Sequence, residues 1–253
     1  MHDSSYRKMG SFLQTYRDRF PTHDGRARVL EIGSKSYQGQ DTHRGLIDDA
    51  RETYTGLDLE SGKNVDIVPA NMYVWDEIPD SSVDVCISGS TFEHNPFFWV
   101  TACEIARVLT PGGFVCIIAP GGGPVHRYPV DCYRFYPDSW GAMAALAGLE
   151  IEEVYFETDE TALQVPGGLW RDSMMIARKP VEDAAQAAIA QERRTQVTQP
   201  FRGGFGKFEA VGHRYGPAVE AYRSSVTTDA KREIRLKIGR RIAPYNVLRI
   251  YVG

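Results

Sequence analysis

Residues 28–39, Arg28-Val-Leu-Glu-Ile-Gly-Ser-Lys-Ser-Tyr-Gln-Gly39, decide the fold. The largely apolar segment 29–32 stops at Gly33 and is followed by a short polar loop. This pattern predicts a buried parallel strand whose carboxyl end faces a ligand. Gly33 allows a tight turn and close approach of a bulky group to the backbone. Glu31 is a carboxylate in a strand that otherwise requires apolar residues.

Strand-like and helix-like segments alternate after this stretch. Strands are predicted over seven segments: 28–32, 53–57, 65–68, 83–88, 114–119, 149–157 and 172–177. Helices are predicted over roughly 42–52, 96–109, 138–147 and 181–194. This alternation is typical of a doubly wound α/β fold, with a mostly parallel seven-stranded sheet and helices on both faces.

Two extensions flank the predicted main domain, residues 23–180. Residues 1–22 repeat apolar side chains at three- and four-residue spacings, which predicts an amphipathic helix packing onto that domain. The extension 181–253 begins with a helix and ends in a basic amphipathic segment, with cations at Lys231, Arg232, Arg235, Lys237, Arg240, Arg241 and Arg249. Such a segment can bind an anionic membrane or an acidic partner. It can also pack its apolar residues onto the domain or a second subunit.

The composition is that of an ordinary water-soluble protein. A net charge of -4 gives no overall reason to expect nucleic acid as a partner. No apolar run approaches the roughly 18 residues of a membrane span, so we expect a cytoplasmic protein. No two of the four cysteines form a Cys-x-x-Cys pair, and Cys86 and Cys116 lie in apolar runs where buried thiols are expected.

Polar residues follow several of the predicted strands. The carboxyl ends of parallel strands share one sheet edge, where ligands bind in open α/β folds. Asp58 ends the second strand, in the position of an acid that accepts hydrogen bonds from ribose hydroxyls. The loop after Gly33 lacks the Gly-x-Gly-x-x-Gly pattern that a pyrophosphate requires. The edge therefore suits an adenosine-containing ligand, and a nicotinamide dinucleotide is disfavoured.

Five motifs in order resemble those of the class I S-adenosylmethionine-dependent methyltransferases, most closely the methyltransferase type-11 group. They are Val-Leu-Glu-Ile-Gly (29–33), Tyr-Thr-Gly-Leu-Asp-Leu (54–59), Asp-Val-Cys-Ile-Ser (84–88), Phe-Glu-His (92–94) and Arg-Val-Leu-Thr-Pro-Gly-Gly (107–113). The resemblance covers about residues 26–178 and implies a Rossmann-like methyltransferase fold with S-adenosyl-L-methionine as cofactor. Many members carry Gly-x-Gly-x-Gly after the first strand, whereas this chain keeps only Gly33 and Gly39.

The resemblance also implies where the cofactor lies. Asp58 would bind the ribose hydroxyls, and Glu31 would lie beside the methionine and ribose, although a capping or salt-bridge carboxylate is the alternative for Glu31. The other cofactor-binding residues that it implies are Gly33, Ser34, Leu59, Ala70, Asn71, Ser88 and Gly89.

The acceptor side of the site is expected around two histidines. A hydroxyl acceptor benefits from a base that removes its proton during attack, and His94 and His126 are the candidates. Asp131 is expected either as the partner of His126 or as an acceptor of a hydrogen bond from a sugar hydroxyl. His94 can instead cap the helix that follows it. Asp131, His126 and Glu93 could converge on a metal, but no ligand spacing requires one. The residues expected to line the acceptor pocket, or to form a structural lid, are Tyr128, Tyr133, Arg134 and Tyr136.

These features predict an O-methyltransferase acting on a sugar or another polyhydroxylated small molecule in polysaccharide or natural-product biosynthesis. The alternative is a scaffold protein that binds the cofactor without catalysis and docks through its basic tail. A nicotinamide-dependent reductase fits less well, because neither its glycine loop nor a Tyr-x-x-x-Lys pair is present.

Overall fold

The computed structural model describes residues 3–37, 39, 42–158, 164, 168–204, 211 and 216–226. The chain divides into two compact units, Met1–Ala210 and Val211–Gly253. Within the described part of the second unit, residues 217–226 form a helix with exposed side chains. The basic segment that the sequence singles out, Lys231 to Arg249, lies outside the described residues.

A six-stranded mixed sheet organises the described part of the first unit. Its strands are β1 (Ala27–Ile32), β2 (Glu52–Leu57), β3 (Val83–Gly89), β4 (Leu109–Pro120), β5 (Glu150–Phe156) and β6 (Asp172–Arg178). Their order is β2-β1-β3-β4-β6-β5. β1 to β4 pair in parallel, whereas β6 runs antiparallel to both of its neighbours. The predicted doubly wound, mostly parallel α/β fold is confirmed.

Five helices accompany these strands in the described residues. They are α1 (Asp3–Tyr16), α2 (Phe98–Val108), α3 (Pro137–Ala147), α4 (Ala184–Thr198) and α5 (217–226). Short 3₁₀ turns link several of them. Pro137 opens α3, where its missing N–H costs nothing, and Gly148 ends that helix at a φ of 75°.

Two predicted elements are wrong. The strand expected over 65–68 contributes a single bridge, Leu57 to Ile67, so the described sheet has six strands instead of seven. Pro69 follows this short segment directly and cannot donate to a ladder. The helix expected over 42–52 is only a 3₁₀ turn, His43–Leu46. The Asp48 side chain accepts the N–H of Ala50, and this local bond competes with a helix.

The amino-terminal helix completes one face of the sheet. The α1 residues Met9, Phe12 and Leu13 are buried against a layer that includes Val85 and Ile118. The predicted amphipathic helix is therefore confirmed. The opposite face is covered mainly by α2 and α3, and Cys86 lies in that core, while Cys116 lies on the α1 side. Both thiols are buried, as expected.

Within the described residues, none of the helices combines the length and the apolar character needed to span a membrane.

The packing of α1 generates a stability prediction. Phe12 is 2% exposed and its ring lies 5.5 Å from that of Tyr16 and 5.6 Å from that of Phe20. Phe12→Ala removes this buried ring, so we expect a loss of about 3–5 kcal/mol in the free energy of unfolding in urea. Gln14→Ala, an exposed position on the same helix, should change it by less than about 0.5 kcal/mol. Equal stability of the two variants would show that α1 is not part of the core.

Candidate functional site

The carboxyl ends of β1, β2 and β3 lie at one edge of the sheet. The register places Ile32 of β1 beside Leu57 of β2 and Ser88 of β3. The residues that follow these positions, Gly33, Asp58 and Gly89, therefore start three adjacent loops. The sequence predicted that these loops meet, and the structure brings them together.

Gly33 can only be glycine in this backbone. Its φ is +78°, and a Cβ built on it would lie 2.1 Å from the Oγ1 of Thr91. The loop after β1 and the loop after β3 are thus in direct contact at this residue. Ser34, the next residue, is buried.

The carboxylate of Glu31 is buried, and both of its oxygens have partners within the protein. Its side chain is 2% exposed, and its Oε1 lies 2.9 Å from the Nδ1 of His43. Its Oε2 accepts a hydrogen bond of 2.6 Å from the hydroxyl of Tyr54. The structure thus shows this carboxylate bonded to His43 and Tyr54 within the protein, which agrees with the structural alternative that the sequence offered. A role beside the cofactor stays a prediction.

The end of β3 is tightly packed. Ser88 is buried and its hydroxyl donates to the carbonyl of Ile32 at 2.9 Å. A Cβ on Gly89 would lie 2.5 Å from the Cε1 of His43 and 2.7 Å from the Oγ of Ser5. The backbone of Gly89 is therefore approached closely by side chains from the His43 turn and from α1.

Asp58 ties the loops after β1 and β2 together. Its Oδ2 accepts the N–H of Lys35 at 3.0 Å, and its Oδ1 accepts the N–H of Leu59 at 2.7 Å. A carboxylate offers about four acceptor sites, so these bonds leave capacity for a ligand hydroxyl. Leu59 beside it is 53% exposed and Val68 is 47% exposed. An apolar surface of this kind suits the face of an aromatic base.

The expected adenine contacts at Ala70 and Asn71 already have partners. The backbone N–H of Ala70 donates to Glu77 at 2.8 Å. The side-chain amide of Asn71 donates to the carbonyl of Phe201 at 2.7 Å and accepts the N–H of Tyr73 at 2.9 Å. Both residues lie after the Leu57–Ile67 bridge, as the sequence indicated, but their polar groups stabilise local structure.

The carboxylate of Asp131 stabilises the conformation of the loop between β4 and α3. Asp131 forms a two-pronged ion pair with Arg134, with N–O distances of 2.6 and 2.8 Å. It also accepts the backbone N–H of His126 at 2.7 Å. The hydrogen bonds from Arg134 and His126 hold the pKa of Asp131 below its usual range, although burial opposes this shift. Asp131 and Arg134 thus hold the loop in shape.

Two histidines and a glutamate meet where this loop contacts the loop after β3. The Nε2 of His94 lies 3.6 Å from the Oε1 of Glu93, and the Nε2 of His126 lies 3.9 Å from the same oxygen. The Nδ1 of His94 faces the carbonyl of Val130 at 2.6 Å. Burial raises the pKa of Glu93 to about 8 and lowers that of His94. We name this group the histidine–glutamate centre.

Aromatic rings surround the histidine–glutamate centre. Trp170 lies 4.3 Å from His126, and Tyr128 lies 6.5 Å from His94, both measured between ring centroids. Tyr37, from the loop after β1, meets Tyr128 edge to face at 4.7 Å. The rings therefore connect the β1 loop to the histidines.

The remaining predicted pocket residues point elsewhere. The hydroxyl of Tyr133 donates to the carbonyl of Pro96 at 2.8 Å, and its ring packs at 5.0 Å from Phe98 against the core. Tyr136 stacks on Phe156 at 5.6 Å. These contacts match the structural lid that the sequence offered as the alternative, and acceptor binding by either tyrosine stays a prediction.

Sequence reasoning assigned no role to three residues of the site, Tyr37, His43 and Trp170. It considered Glu93, which stands in the quoted Phe-Glu-His motif, only as a possible metal ligand with Asp131 and His126. Tyr37 and Trp170 lie in loops without periodicity, so their proximity to the histidines depends on the tertiary fold. No local pattern links His43 to Glu31.

The comparisons with known proteins agree with this geometry. Residues 25–117 match the family described as a methyltransferase domain. A search of curated protein sequences gives no significant match.

Three solved structures have a similar fold at low sequence identity. A 1,6-didemethyltoxoflavin-N1-methyltransferase of Burkholderia thailandensis, determined with S-adenosylhomocysteine, is 15% identical and has a TM-score of 0.53 over 70% of this chain and 79% of that chain. The CurJ carbon methyltransferase is 13% identical, with a TM-score of 0.51 over 69% of this chain and 54% of that chain. The [4+2]-cyclase SpnF is 16% identical, with a TM-score of 0.50 over 70% of this chain and 82% of that chain.

The matched segment contains β1, β2 and β3, whose carboxyl ends carry the candidate cofactor residues, and it ends within β4. Residues 25–117 therefore resemble a methyltransferase domain of the type-11 group, and the described sheet has the Rossmann-like methyltransferase fold.

Proposed function

We propose that this protein transfers a methyl group from S-adenosylmethionine to a hydroxyl oxygen of a sugar or another polyhydroxylated small molecule. One observation carries the proposal. The sheet edge presents Asp58 and the Gly33 loop on one side and the histidine–glutamate centre on the other, and the contact between Tyr37 and Tyr128 links them. This contact supports a cofactor site and an acceptor site that are neighbours.

The residues around Asp58 suit a ligand that has an adenosine group and a short tail. Asp58 has acceptor capacity beyond its bonds to Lys35 and Leu59, which suits ribose hydroxyls. The exposed side chains of Leu59 and Val68 offer an apolar surface for the base. When bound, S-adenosylmethionine supplies a methyl group already activated by its sulfonium. The residues then only need to hold the acceptor oxygen in line with that methyl group.

The acceptor side fits a hydroxyl compound. The Nδ1 of His94 lies against a carbonyl oxygen at 2.6 Å, so this nitrogen carries the proton and the Nε2 keeps its lone pair. Such polar atoms lie near the rings of Trp170 and Tyr128. Aromatic faces and a few placed polar groups are typical of sites for small organic ligands.

A non-catalytic cofactor-binding scaffold is the second candidate. The observation that favours it is the close contact of Gly33 with Thr91, together with the engaged amide of Asn71. The approach of Thr91 to Gly33 and the hydrogen bond of the Asn71 amide leave less space and fewer free polar groups at the sheet edge where the cofactor would bind. Binding without turnover is the behaviour that this alternative predicts.

Asp58 provides a test of the cofactor site. Asp58→Ala should weaken S-adenosylmethionine binding by about 1.5–3 kcal/mol, the scale of hydrogen bonds involving a charged group. Isothermal titration calorimetry measures this change. Glu60→Gln is the matched control, because Glu60 is an exposed acid in the same loop whose carboxylate pairs with Lys35 at 2.6 Å. Unchanged affinity in folded Asp58→Ala would place the ribose elsewhere.

Turnover separates the two candidate functions. The protein should release S-adenosylhomocysteine when S-adenosylmethionine is mixed with sugar acceptors, measured by liquid chromatography. A matched acceptor whose free hydroxyl is already methylated should give no release above background. Cofactor binding without product from any hydroxyl acceptor would contradict the methyltransferase proposal and support the scaffold. No binding of either cofactor form would contradict both.

A further inference from the structure

The histidine–glutamate centre has the arrangement of a metal site. The Nε2 atoms of His94 and His126 lie 3.6 and 3.9 Å from the same Glu93 oxygen. One ligand atom from each of the three residues lies within 4.8 Å of the others. Bonds of about 2.0–2.1 Å to a tetrahedral ion hold ligand atoms about 3.3–3.4 Å apart. Small side-chain rotations therefore suffice to close the site around an ion.

The Glu93 carboxyl group is buried without a hydrogen-bond partner among the described residues. Its exposed fraction is 0%, and neither oxygen accepts a hydrogen bond from the described part of the chain. An unpaired buried carboxylate is costly, so such groups are paired or coordinate metals. The nearby cation Arg134 is already held by Asp131 at 2.6 Å. A cation between Glu93 and the two imidazoles would remove this cost.

The outer nitrogen of His94 has the partner typical of a metal ligand, whereas that of His126 lies near a carboxylate without a hydrogen bond among the described residues. The Nδ1 of His94 lies 2.6 Å from the carbonyl oxygen of Val130. The Nδ1 of His126 lies 3.4 Å from the Oδ2 of Asp131. Metal-binding histidines typically donate this second N–H to a carbonyl or a carboxylate, which fixes the ring and directs the other nitrogen to the ion. Here both Nε2 atoms face Glu93.

We propose that Glu93, His94 and His126 bind a divalent transition-metal cation, for which Zn²⁺ is the probe. Two imidazoles and one carboxylate favour such an ion over Mg²⁺ or Ca²⁺, which prefer all-oxygen sites. Three protein ligands leave a coordination position open, as in catalytic zinc sites. Trp170 and Tyr128 border the centre, so that position lies on the acceptor side.

The role of the ion rests on the proposed function. An acceptor hydroxyl in the open position would lose its proton more easily, because a bound cation lowers the pKa of an oxygen ligand. The histidines would then act by holding the ion, and not by accepting the proton directly. Metal binding itself can be measured without cofactor or acceptor.

The experiment is a titration of the chelator-treated full chain with Zn²⁺ by calorimetry. We expect one ion per chain in the wild type, and binding weaker by at least about tenfold in Glu93→Gln and in His126→Asn. His23→Gln is the control for adventitious histidine binding. Its Nε2 pairs with Asp84 at 3.2 Å beside the start of β1, and its side chain is 53% exposed. This control should bind as the wild type does.

Two further measurements check the folding of the variants and the coordination of the metal. Circular dichroism checks that the variants fold, and His126→Asn changes a loop residue whose side chain is 30% exposed. Co²⁺ should give visible absorption in the wild type that both site variants lose. Equal Zn²⁺ binding in wild type and site variants, or no stoichiometric binding of Zn²⁺ or Co²⁺, would overturn the proposal. S-adenosylmethionine binding in the same samples would then show that the proposed function stands without the metal.

Discussion

The parallel pairing of β1, β3 and β4 is the constraint on which the site depends. Because these strands run in one direction, their carboxyl ends and the loops that follow them share one sheet edge. The loop after β3 carries Glu93 and His94, and the loop after β4 carries His126. The carbonyl of Glu93 accepts the N–H of Cys132 at 2.7 Å, so a backbone hydrogen bond joins the two loops. The histidine–glutamate centre follows from that junction.

Three buried carboxyl groups differ in the partners that surround them. Asp84 pairs with the guanidinium of Arg28 at 2.9 and 3.0 Å at the amino-terminal end of the sheet. Glu31 has His43 and Tyr54 at the opposite end. Glu93 is the exception, because its oxygens have no hydrogen-bond partner among the described residues. The first two carboxylates have complete structural interactions, whereas Glu93 is the group for which we propose a metal ion as partner. This difference distinguishes two carboxylates that support the fold from the one in the histidine–glutamate centre.

The order of strands and helices was predictable because it depends on local patterns. The apolar run before Gly33, the helical spacing in α1 and the turn residues around the later strands all specify structure within short windows. The elements at 42–52 and 65–68 were wrong because local side-chain bonds and a proline override a weak pattern. The site could be predicted only in part. The positions of strand-end residues such as Asp58 and His94 can be predicted from the topology of the sheet. The contact between Trp170 and His126 cannot, because it depends on the tertiary folding of two loops. The engagement of Glu31 by His43 is likewise a tertiary contact without a local pattern.

The proposed function requires that the cofactor and acceptor sites are neighbours across this edge. A crystal structure with S-adenosylhomocysteine tests it most directly, because the thioether sulfur marks the position from which the methyl group leaves. We predict that the ribose hydroxyls bind Asp58 and that the sulfur faces the histidine–glutamate centre. A cofactor bound away from Asp58, or a sulfur directed away from His94 and His126, would contradict the account.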